Sequence, residues 1–490
     1  MNRYKTWFPT TKPINNNTAS MMKTIRMIAA TFVGCLAIQA HAASTMSTAA
    51  IASLGYIYGF PIVLMGETRE GFTGKQRSCT LGTDINTLIN VKDVPGTDFK
   101  AVVRPNVDTL YTSGMLDLSK GPQLLDIPVV SDHYILFALL DAWTNNFAGF
   151  GTQTHKDEEI DKKGHYAIVG PDWMGDVPSG YEKIPSTTNL VWIIGRTEVK
   201  GKDDIPAVNA IQDQYSLTSV FPQDSGIDPS EIQCVKDDER ETPSDVVKSL
   251  SGEEFFTRLS ALMIENPPPA EDAWMVSLLG NIGVGPEAKQ PVQQLHAINK
   301  KALDKGIALA QGSLDTGISL LGIGGWGPNP KNTPLGEYER RYFIRALVAQ
   351  VGFGANKRDF AVYQNAKRDA DNEILNGRND YTITFAANAL PPVQAFWSVT
   401  VYGDDGYLTE NKISKRLGVD RYALGSNDEL VKDRKGNVTI YVSHLPPRGV
   451  SLSNWLPTPR GNFQMTARFY APEEAILENE WKMPDIVKRD

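Results

Sequence analysis

The fold is decided in the stretch YILFALLDAWTNN, residues 134–146. Its first part is continuously apolar, and its second part consists mainly of polar and turn-forming residues. A short apolar run that stops in this way is typical of a buried β-strand followed by its exit loop. The stretch therefore predicts a β-rich domain around it.

Further runs on both sides have the composition of strands, being rich in β-branched or aromatic residues and bounded by turn formers. With the first one, the predicted strands are Leu110–Leu116, Tyr134–Leu140, His165–Val169 and Leu190–Ile194. Their spacing favours an antiparallel sandwich or barrel over alternating βαβ units. Ahead of them, residues 43–65 have the apolar spacing of a helix, whereas residues 66–98 are rich in turn formers and predict loops.

Residues 241–355 predict helices instead, since apolar side chains recur there at helical spacing. Strand-like runs then return, at Thr382–Ala386, Phe396–Tyr402, Val438–Val442 and Phe463–Tyr470. A chain of 490 residues also exceeds one ordinary hydrophobic core. We therefore predict a mainly β fold with an α connector: two β-sandwich-like domains, residues 43–240 and 356–490, joined by a helical segment, residues 241–355.

The first 42 residues have the pattern of a secretion signal. A basic start at residues 22–26 precedes a short apolar run at residues 27–38, and Ala40-His41-Ala42 supplies the small residues that signal peptidase requires. The apolar run is shorter than the roughly 20 residues that span a bilayer. We expect cleavage near Ala42 and a periplasmic or secreted protein without a transmembrane segment. A lipoprotein anchored through Cys35 is the alternative.

The net charge indicates which classes of partner to expect, and the cysteine content indicates whether a disulfide can form. The net charge is -8 and no stripe rich in lysine or arginine exists, which argues against nucleic acid as a partner. Once the signal is removed, only Cys79 and Cys234 remain. They could form one disulfide in an oxidising compartment, but we expect two buried free thiols.

Several catalytic motifs are missing. The sequence has no Gly-x-Ser-x-Gly nucleophile elbow, no His-Glu-x-x-His zinc helix and no phosphate-binding P-loop. Gly322–Gly327 fits Gly-x-Gly-x-x-Gly, but Pro328 and Pro330 stand where the phosphate-binding helix should begin. We predict no cofactor, and a divalent metal held by scattered ligands stays open.

The most promising polar stretch is RPNVDTLY, residues 104–111. In an extended chain, Arg104, Asn106 and Asp108 would project from one face and could orient a polar substrate. Tyr111 follows as a proton donor. The alternative is that Arg104 and Asp108 pair and brace a turn, because Pro105 and Asn106 are good turn residues.

Asp141 forms a second candidate, because it lies where the buried strand meets its exit loop. Partial burial raises the pKa of a carboxyl group and suits it to acid–base catalysis. Asn145 and His155 could contribute to binding at the same site. The alternative is that Asp141 caps the following turn.

Trp397 and Tyr402 flank a strand beside acidic residues in the second half. Aromatic rings next to acids can bind sugars by stacking and hydrogen bonding. The alternative places these rings in the core and the acids in a hairpin turn.

The first β region resembles the domain-of-unknown-function family numbered 1254, through the 104–111 stretch, Asp141 with Thr144-Asn145, and the Val169-Gly170-Pro171 turn. The second resembles its usual companion, numbered 1214, through Leu390-Pro391-Pro392, Phe396-Trp397-Ser398, Tyr402 and Ser453-Asn454-Trp455-Leu456-Pro457. The resemblance covers about residues 50–485. It implies two β-rich domains joined by helices, frequent export from bacteria, and assembly as homo-oligomers. It implies no activity and no catalytic residues.

The sequence thus favours an exported hydrolase that acts on a small polar or ester substrate at the domain junction. Asp108 or Asp141 would activate water, Arg104 would hold an anion and Tyr111 would donate a proton. The alternative is a non-catalytic periplasmic protein that binds carbohydrate or acts as an envelope-associated scaffold.

Overall fold

A computed structural model describes residues 46–99, 104–152, 164–221, 226–320, 325–327 and 335–489. The predicted secretion signal, Cys35 and His155 lie outside the described residues, and Gly322–Gly327 lies partly outside them.

The N-terminal domain is built from two mostly antiparallel sheets that pack face to face. Five strands, in the order β2-β3-β9-β5-β6, form one sheet, and four, in the order β10-β4-β7-β8, form the other. These strands are β2 (Ile89–Asn90), β3 (Thr109–Asp117), β4 (Gln123–Asp126), β5 (Ile135–Asp141), β6 (Asn146–Gly151), β7 (His165–Val169), β8 (Glu182–Pro185), β9 (Leu190–Glu198) and β10 (Ser216–Ser219), while β1 (Gln76–Ser78) and β11 (Gln233–Val235) pair with each other in a separate two-stranded sheet. A buried apolar core that includes Phe137, Ile168 and Ile193 fills the space between the two sheets.

Helices cover the other face of the five-stranded sheet. They are α1 (Thr48–Thr73), α3 (Pro243–Ser249), α4 (Gly252–Glu265), α5 (Ala273–Gly280), α6 (Ala297–Leu320) and α7 (Tyr342–Gly352), whereas α2 (Ile205–Gln212) lies at the end of β9. Helix α1 is at the centre of this layer and shares one apolar core with the sheet residues Ala138, Leu140 and Ile194. By length and composition α1 could cross a membrane, but 72% of its most apolar window is buried, as in a core helix.

The C-terminal domain repeats the two-sheet arrangement. One sheet has the order β12-β18-β14-β15 and the other the order β17-β16-β13-β19. The elements are β12 (Ala361–Ala366), β13 (Tyr381–Phe385), β14 (Trp397–Gly403), α8 (Lys412–Arg416), β15 (Ala423–Gly425), β16 (Val438–Ser443), β17 (Trp455–Pro457), β18 (Phe463–Tyr470), α9 (Glu474–Leu477) and β19 (Val487–Lys488). Side chains such as Ile383, Val399 and Met465 form its core. The prediction of two β-rich domains joined by a helical segment is confirmed.

Helix α1 extends beyond its predicted end. We expected loops from Gly66 onward, but the helix continues to Thr73. A Cβ on Gly66 would lie 2.9 Å from the Leu262 side chain, so glycine allows close packing against α4 here. Tertiary packing therefore outweighs the cost of about 1 kcal/mol of a glycine inside a helix.

The expectation of two buried free thiols is wrong. Cys79 and Cys234 form a disulfide with their Cα atoms 4.8 Å apart, and both residues are exposed. Parallel pairing of β1 with β11 brings them together, since Arg77 lies opposite Cys234. The bridge closes a loop of 155 residues in sequence separation, which no local pattern could indicate.

Candidate functional site

One face of the sheet that contains β18 is polar and yet buried. Along β18, Gln464, Thr466 and Arg468 alternate with apolar residues that point into the domain core. Each of the three is at most 4% exposed. Buried polar side chains on the outer face of a sheet require polar partners from another part of the chain. Here some partners come from the C-terminal domain itself, such as Asn365 for Thr466, and others come from the N-terminal domain.

The Arg-Pro-Asn run at the start of the 104–111 stretch supplies many of these partners. Arg104 Nε donates to Gln464 Oε1 at 3.0 Å, and the Arg104 carbonyl oxygen accepts from Arg468 Nη2 at 3.0 Å. The Tyr402 hydroxyl donates to the Pro105 carbonyl oxygen at 2.8 Å. The run therefore holds the two domains together at the domain junction.

The expected shared face of Arg104, Asn106 and Asp108 is not formed. Arg104 has φ 52°, in the left-handed region, so the run is not extended there. The Asn106 amide nitrogen donates to the Tyr470 hydroxyl at 2.9 Å, and its carbonyl oxygen accepts from the Asp108 backbone N–H at 2.8 Å. Arg104 and Asn106 therefore brace the junction, and the predicted turn-bracing pair of Arg104 with Asp108 is also not the observed arrangement.

Asp108 is the predicted site residue with the most unusual environment. It is 8% exposed, and the Ser398 hydroxyl donates to its Oδ2 at 2.5 Å. Burial raises the pKa of the Asp108 carboxyl, against the opposing effects of the Arg468 charge and the Ser398 hydrogen bond. A buried carboxyl with a raised pKa is a candidate for proton transfer.

Asp108 lines a cavity of about 290 Å³ between the two domains, which we call the junction cavity. Val199 and Lys200 line it from the N-terminal domain, and Trp397, Ser398, Arg421 and Asp428 line it from the C-terminal domain. Across the same cavity wall, Lys202 and Asp420 form an ion pair at 2.8 Å. The cavity therefore combines apolar walls with charged groups of both signs.

Asp428 is a second carboxyl group in the junction cavity. Removal from bulk water raises the pKa of Asp428, the hydrogen bond from the Gly425 N–H lowers it, and the charge of Asp108 adds to the increase. That N–H donates to Asp428 Oδ2 at 2.7 Å. The charge of Asp108 thus disfavours ionisation of Asp428 while Asp108 is itself ionised.

Asparagine in place of Asp108 should raise the free energy of unfolding at pH 7 by about 0.5–2 kcal/mol. Burial raises the pKa of Asp108 above its unfolded value, so the folded state holds this proton more tightly. The ionised carboxyl therefore costs stability as the pH rises from the unfolded pKa, about 3.9, toward the folded pKa. The asparagine carbonyl still accepts from Ser398 and carries no charge.

Urea unfolding of the wild type and Asp108→Asn near pH 3 and at pH 7 measures this effect, because at the lower pH both states of the wild type are protonated. If the free energies of unfolding of the wild type and Asp108→Asn differed by the same amount at both pH values, the raised pKa assigned to Asp108 would be contradicted.

Asp141 does not belong to the junction cavity. Its carboxylate accepts from the Asn145 backbone N–H at 2.8 Å, the Asn145 amide at 3.0 Å and the Thr187 hydroxyl at 3.0 Å. Burial raises its pKa. Asp141 lies opposite Val191, whereas the Asp108 carbonyl oxygen accepts from the Val199 N–H, eight residues further along the chain, or about 26 Å at the usual strand rise. The prediction of one site containing Asp108 and Asp141 is wrong, and Asp141 with Asn145 stabilises the turn after β5.

Tyr111 also lies outside the junction cavity lining. Arg196 lies beside it, with the guanidinium carbon 5.3 Å from the centre of the Tyr111 ring. Burial raises the pKa of the Tyr111 phenol, but the Arg196 charge and a hydrogen bond from Asn106 outweigh burial and lower it. Tyr111 therefore does not face the same space as Asp108.

The aromatic residues predicted to bind substrate are buried. Trp397 is 4% exposed and contributes to the junction cavity wall, while Tyr402 is fully buried and accepts from Arg468 Nη2 at 2.7 Å. Neither ring offers an open face for a sugar, so the alternative that places them in the core describes them better.

Ser398, Arg421, Asp428 and Arg468 were missed by sequence reasoning. The alternation of Gln464, Thr466 and Arg468 within a predicted strand was the available signal, because it indicates a second face that must be covered by polar partners. Within the described ranges, no group of three or more His, Cys, Asp or Glu side chains is arranged to hold a metal ion.

Fold and site together define a class: a protein of two β-rich domains with a helical layer and a polar cavity where the domains meet. Residues 85–219 match the family model described as "Protein of unknown function (DUF1254)", and residues 360–474 match the one described as "Protein of unknown function (DUF1214)". These two matches confirm the resemblance seen in the sequence.

The fold is shared with a solved structure. The crystal structure of the VPA0106 protein from Vibrio parahaemolyticus is similar over 91% of this chain and 100% of that chain, with a TM-score of 0.67 and 21% identity. A putative uncharacterized protein from Burkholderia cenocepacia aligns over 89% of this chain and 87% of that chain, with a TM-score of 0.41 and 10% identity. A search of curated proteins gives no match.

Proposed function

We propose that this protein is an exported hydrolase that acts on a small polar or ester substrate in the junction cavity. The observation that carries the proposal is Asp108, a carboxyl group with a pKa raised by burial that nevertheless lines an interdomain cavity. Concave sites with a few converging polar groups and perturbed pKa values are the usual places for catalysis.

Asp108 would act as the general base that activates a water molecule. Ser398 donates to Asp108 Oδ2, which orients the carboxyl group and leaves Oδ1 for a water in the cavity. A raised pKa brings the carboxyl closer to the working pH, where proton transfer is most effective. Asp428, which lines the cavity from the C-terminal domain, would be protonated before the reaction and would donate its own proton to the leaving group, and the proton taken up by Asp108 would then be transferred to Asp428 through solvent.

Lys200 and Arg421 take the role first assigned to Arg104. Both line the junction cavity. Lys200 Nζ donates to the Asp132 carbonyl oxygen and Arg421 Nη1 to the Ser453 carbonyl oxygen at 3.2 Å, and their remaining N–H donors would stabilise an oxyanion that develops during hydrolysis. Arg104 instead donates to Gln464, and Tyr111 lies outside the cavity lining. The chemistry therefore rests on residues from both domains.

The exposed disulfide between Cys79 and Cys234 supports the export part of the proposal. Disulfides persist in oxidising compartments such as the periplasm and are rare in the cytosol. The location, the cleavage near Ala42 and the homo-oligomeric state stay predictions.

The test is hydrolysis of p-nitrophenyl acetate and p-nitrophenyl butyrate by the purified mature protein. We expect Asp108→Asn to lower the rate by about 100-fold, the usual contribution of a positioned general base. Asp141→Asn is the matched control, since this buried aspartate has the same chemistry and lies at the other end of the sheet. It should keep the wild-type rate in the folded fraction.

Ser398→Ala should shift the pH profile of the rate to higher pH, because it removes a hydrogen bond that lowers the pKa of Asp108. Equal rates in the wild type and Asp108→Asn would overturn the proposed site. Absence of turnover with both esters in the wild type would instead favour the non-catalytic scaffold.

A further inference from the structure

Arg196 is a buried cation that has only neutral partners. It is 6% exposed; its Nη1 donates to the Asn356 side-chain oxygen at 2.9 Å and its Nη2 to the Gly354 carbonyl oxygen at 3.4 Å. Its Nε has no hydrogen-bond partner among the residues that the structure describes. Buried arginines are almost always paired with an anion, because an uncompensated buried charge is costly. The Arg196 Nε–H is thus a charged hydrogen-bond donor without an acceptor among the described residues.

Two tyrosines stand next to this guanidinium. Tyr111 lies beneath it, and Tyr363 of β12 accepts from the Asn356 amide at 3.0 Å, so one asparagine holds both Arg196 and Tyr363. On its other side, Tyr363 has the Arg468 guanidinium carbon 5.9 Å from its ring centre. Two cations and two phenols therefore converge, in an arrangement that we call the arginine–tyrosine cluster: Arg196, Arg468, Tyr111 and Tyr363.

The arginine–tyrosine cluster lies nearest to solvent at Tyr363. Tyr363 is held by Asn356 and lies 6.3 Å from the Tyr470 ring, and 37% of its surface is exposed. Its neighbours Arg196 and Arg468 are nearly fully buried. A small solute would therefore approach the cluster along Tyr363.

The charges of Arg196 and Arg468 favour negative charge in the cluster: both act to lower the pKa of the Tyr363 phenol, although burial outweighs them and raises it. The negative charge of Asp108 raises the pKa of Arg468, but Asp108 is held by Ser398 and lies in the junction cavity. Within the described ranges, no carboxylate forms an ion pair with Arg196. The Arg196 charge also lowers the pKa of Tyr111 despite burial. A field that stabilises a phenolate stabilises any oxyanion placed there.

We infer that the arginine–tyrosine cluster binds a small oxyanion, of the carboxylate or phosphate type, through Arg196 Nε and the Tyr363 hydroxyl. Arginine suits this role because its planar fork of N–H groups matches carboxylate and phosphate oxygens. This anion site is separate from the junction cavity. Its test measures binding of an anion, so the result does not depend on whether the protein is a hydrolase.

Isothermal titration calorimetry of the mature protein with acetate, succinate and inorganic phosphate tests the inference. We expect saturable binding of at least one anion with a dissociation constant of about 1 mM or lower. Arg196→Gln should weaken it by about 10- to 100-fold, the value of a charge-assisted hydrogen bond. Arg69→Gln is the control, because Arg69 forms a surface ion pair with Glu265 at 3.2 Å. Tighter binding of acetate and succinate would identify the oxyanion as a carboxylate, whereas tighter binding of phosphate would identify it as a phosphate.

A second variant and a spectroscopic signal test the inference even if Arg196→Gln fails to fold. Tyr363→Phe removes only the hydroxyl of a partly exposed ring and should weaken binding by about 2- to 10-fold. Bound anion should also raise the pKa of Tyr111 by offsetting the Arg196 charge, visible as a phenolate absorbance change at higher pH. No saturable binding of any of the three anions, or equal affinities in Arg69→Gln, Arg196→Gln and Tyr363→Phe, would overturn the inference.

Discussion

Methionine in place of Arg345 should lower the free energy of unfolding by about 3–5 kcal/mol, the largest effect expected in this protein. Arg345 on α7 is 1% exposed, and its guanidinium carbon lies 5.4 Å from the ring centres of Tyr58, Trp143 and Tyr342 alike. This aromatic cage joins α1, the turn after β5 and α7 around one positive charge. Cation–π contacts are strongest when the cation is removed from water, as here.

The loss would extend beyond the cage, because Asp272 depends on the same network. The hydroxyl of Tyr58 donates to Asp272 Oδ2 at 3.2 Å, and that of Tyr342 donates to Oδ1. Asp272 is 2% exposed, so without Arg345 a buried carboxylate would be left with neutral donors alone. Arg345 and Asp272 are opposite buried charges linked through Tyr58 and Tyr342, and leaving one such charge uncompensated is more costly than removing both.

Urea unfolding followed by circular dichroism measures the change in free energy. Arg69→Met is the matched control and should cost less than about 1 kcal/mol, since Arg69 and Glu265 form an exposed ion pair. The double variant Arg345→Met/Asp272→Asn should recover part of the loss of Arg345→Met. A cost for Arg345→Met no greater than that for Arg69→Met would show that the cage does not stabilise the helical layer.

Serine at both Cys79 and Cys234 should lower the free energy of unfolding by about 2–5 kcal/mol. The bridge joins the two short strands β1 and β11 and thereby ties the end of α1 to the segment that leads into the connector helices. A cross-link across 155 residues removes many conformations from the unfolded chain, and long loops gain most in the chain-entropy view. The two-stranded sheet alone is too small to be stable without it.

Guanidinium unfolding with and without dithiothreitol measures the effect. Reductant should destabilise the wild type by about the same 2–5 kcal/mol and leave the Cys79→Ser/Cys234→Ser variant unchanged. In the full sequence that variant keeps only Cys35, which lies within the predicted secretion signal, so it also controls for other thiol chemistry. An unchanged midpoint on reduction of the wild type would rule out a stabilising role for the bridge.

The packing of the two domains forms the proposed catalytic site and also keeps some of the predicted residues out of it. Asp108 meets Ser398 across 290 residues of sequence separation, and the junction cavity exists only because the two domains pack through the Arg-Pro-Asn run. The same packing places Arg104 in the interdomain contact and leaves Asp141 at the far end of β9. A hydrolase at this site therefore uses one of the two carboxyl groups that the sequence singled out.

The strands were predictable because their signals are local. His165–Val169 and Phe463–Tyr470 have the predicted bounds, and β3, β5 and β14 differ from the prediction by a residue at each end. Alternation and apolar runs act over a few residues, and so they specify strands before any tertiary contact forms. The extension of α1 through Gly66 to Thr73 was missed because its cause is a neighbouring helix, not the helix itself.

The sequence by itself determined the two β-rich domains, the helical segment between them and the family pair. Only the tertiary structure decided the disulfide, the junction cavity of Asp108 and Asp428, and the arginine–tyrosine cluster around Arg196. The physical reason is the range of the interactions. Secondary structure follows from side-chain periodicity between near neighbours, whereas a site depends on burial and on pairs of groups hundreds of residues apart, which no periodicity records.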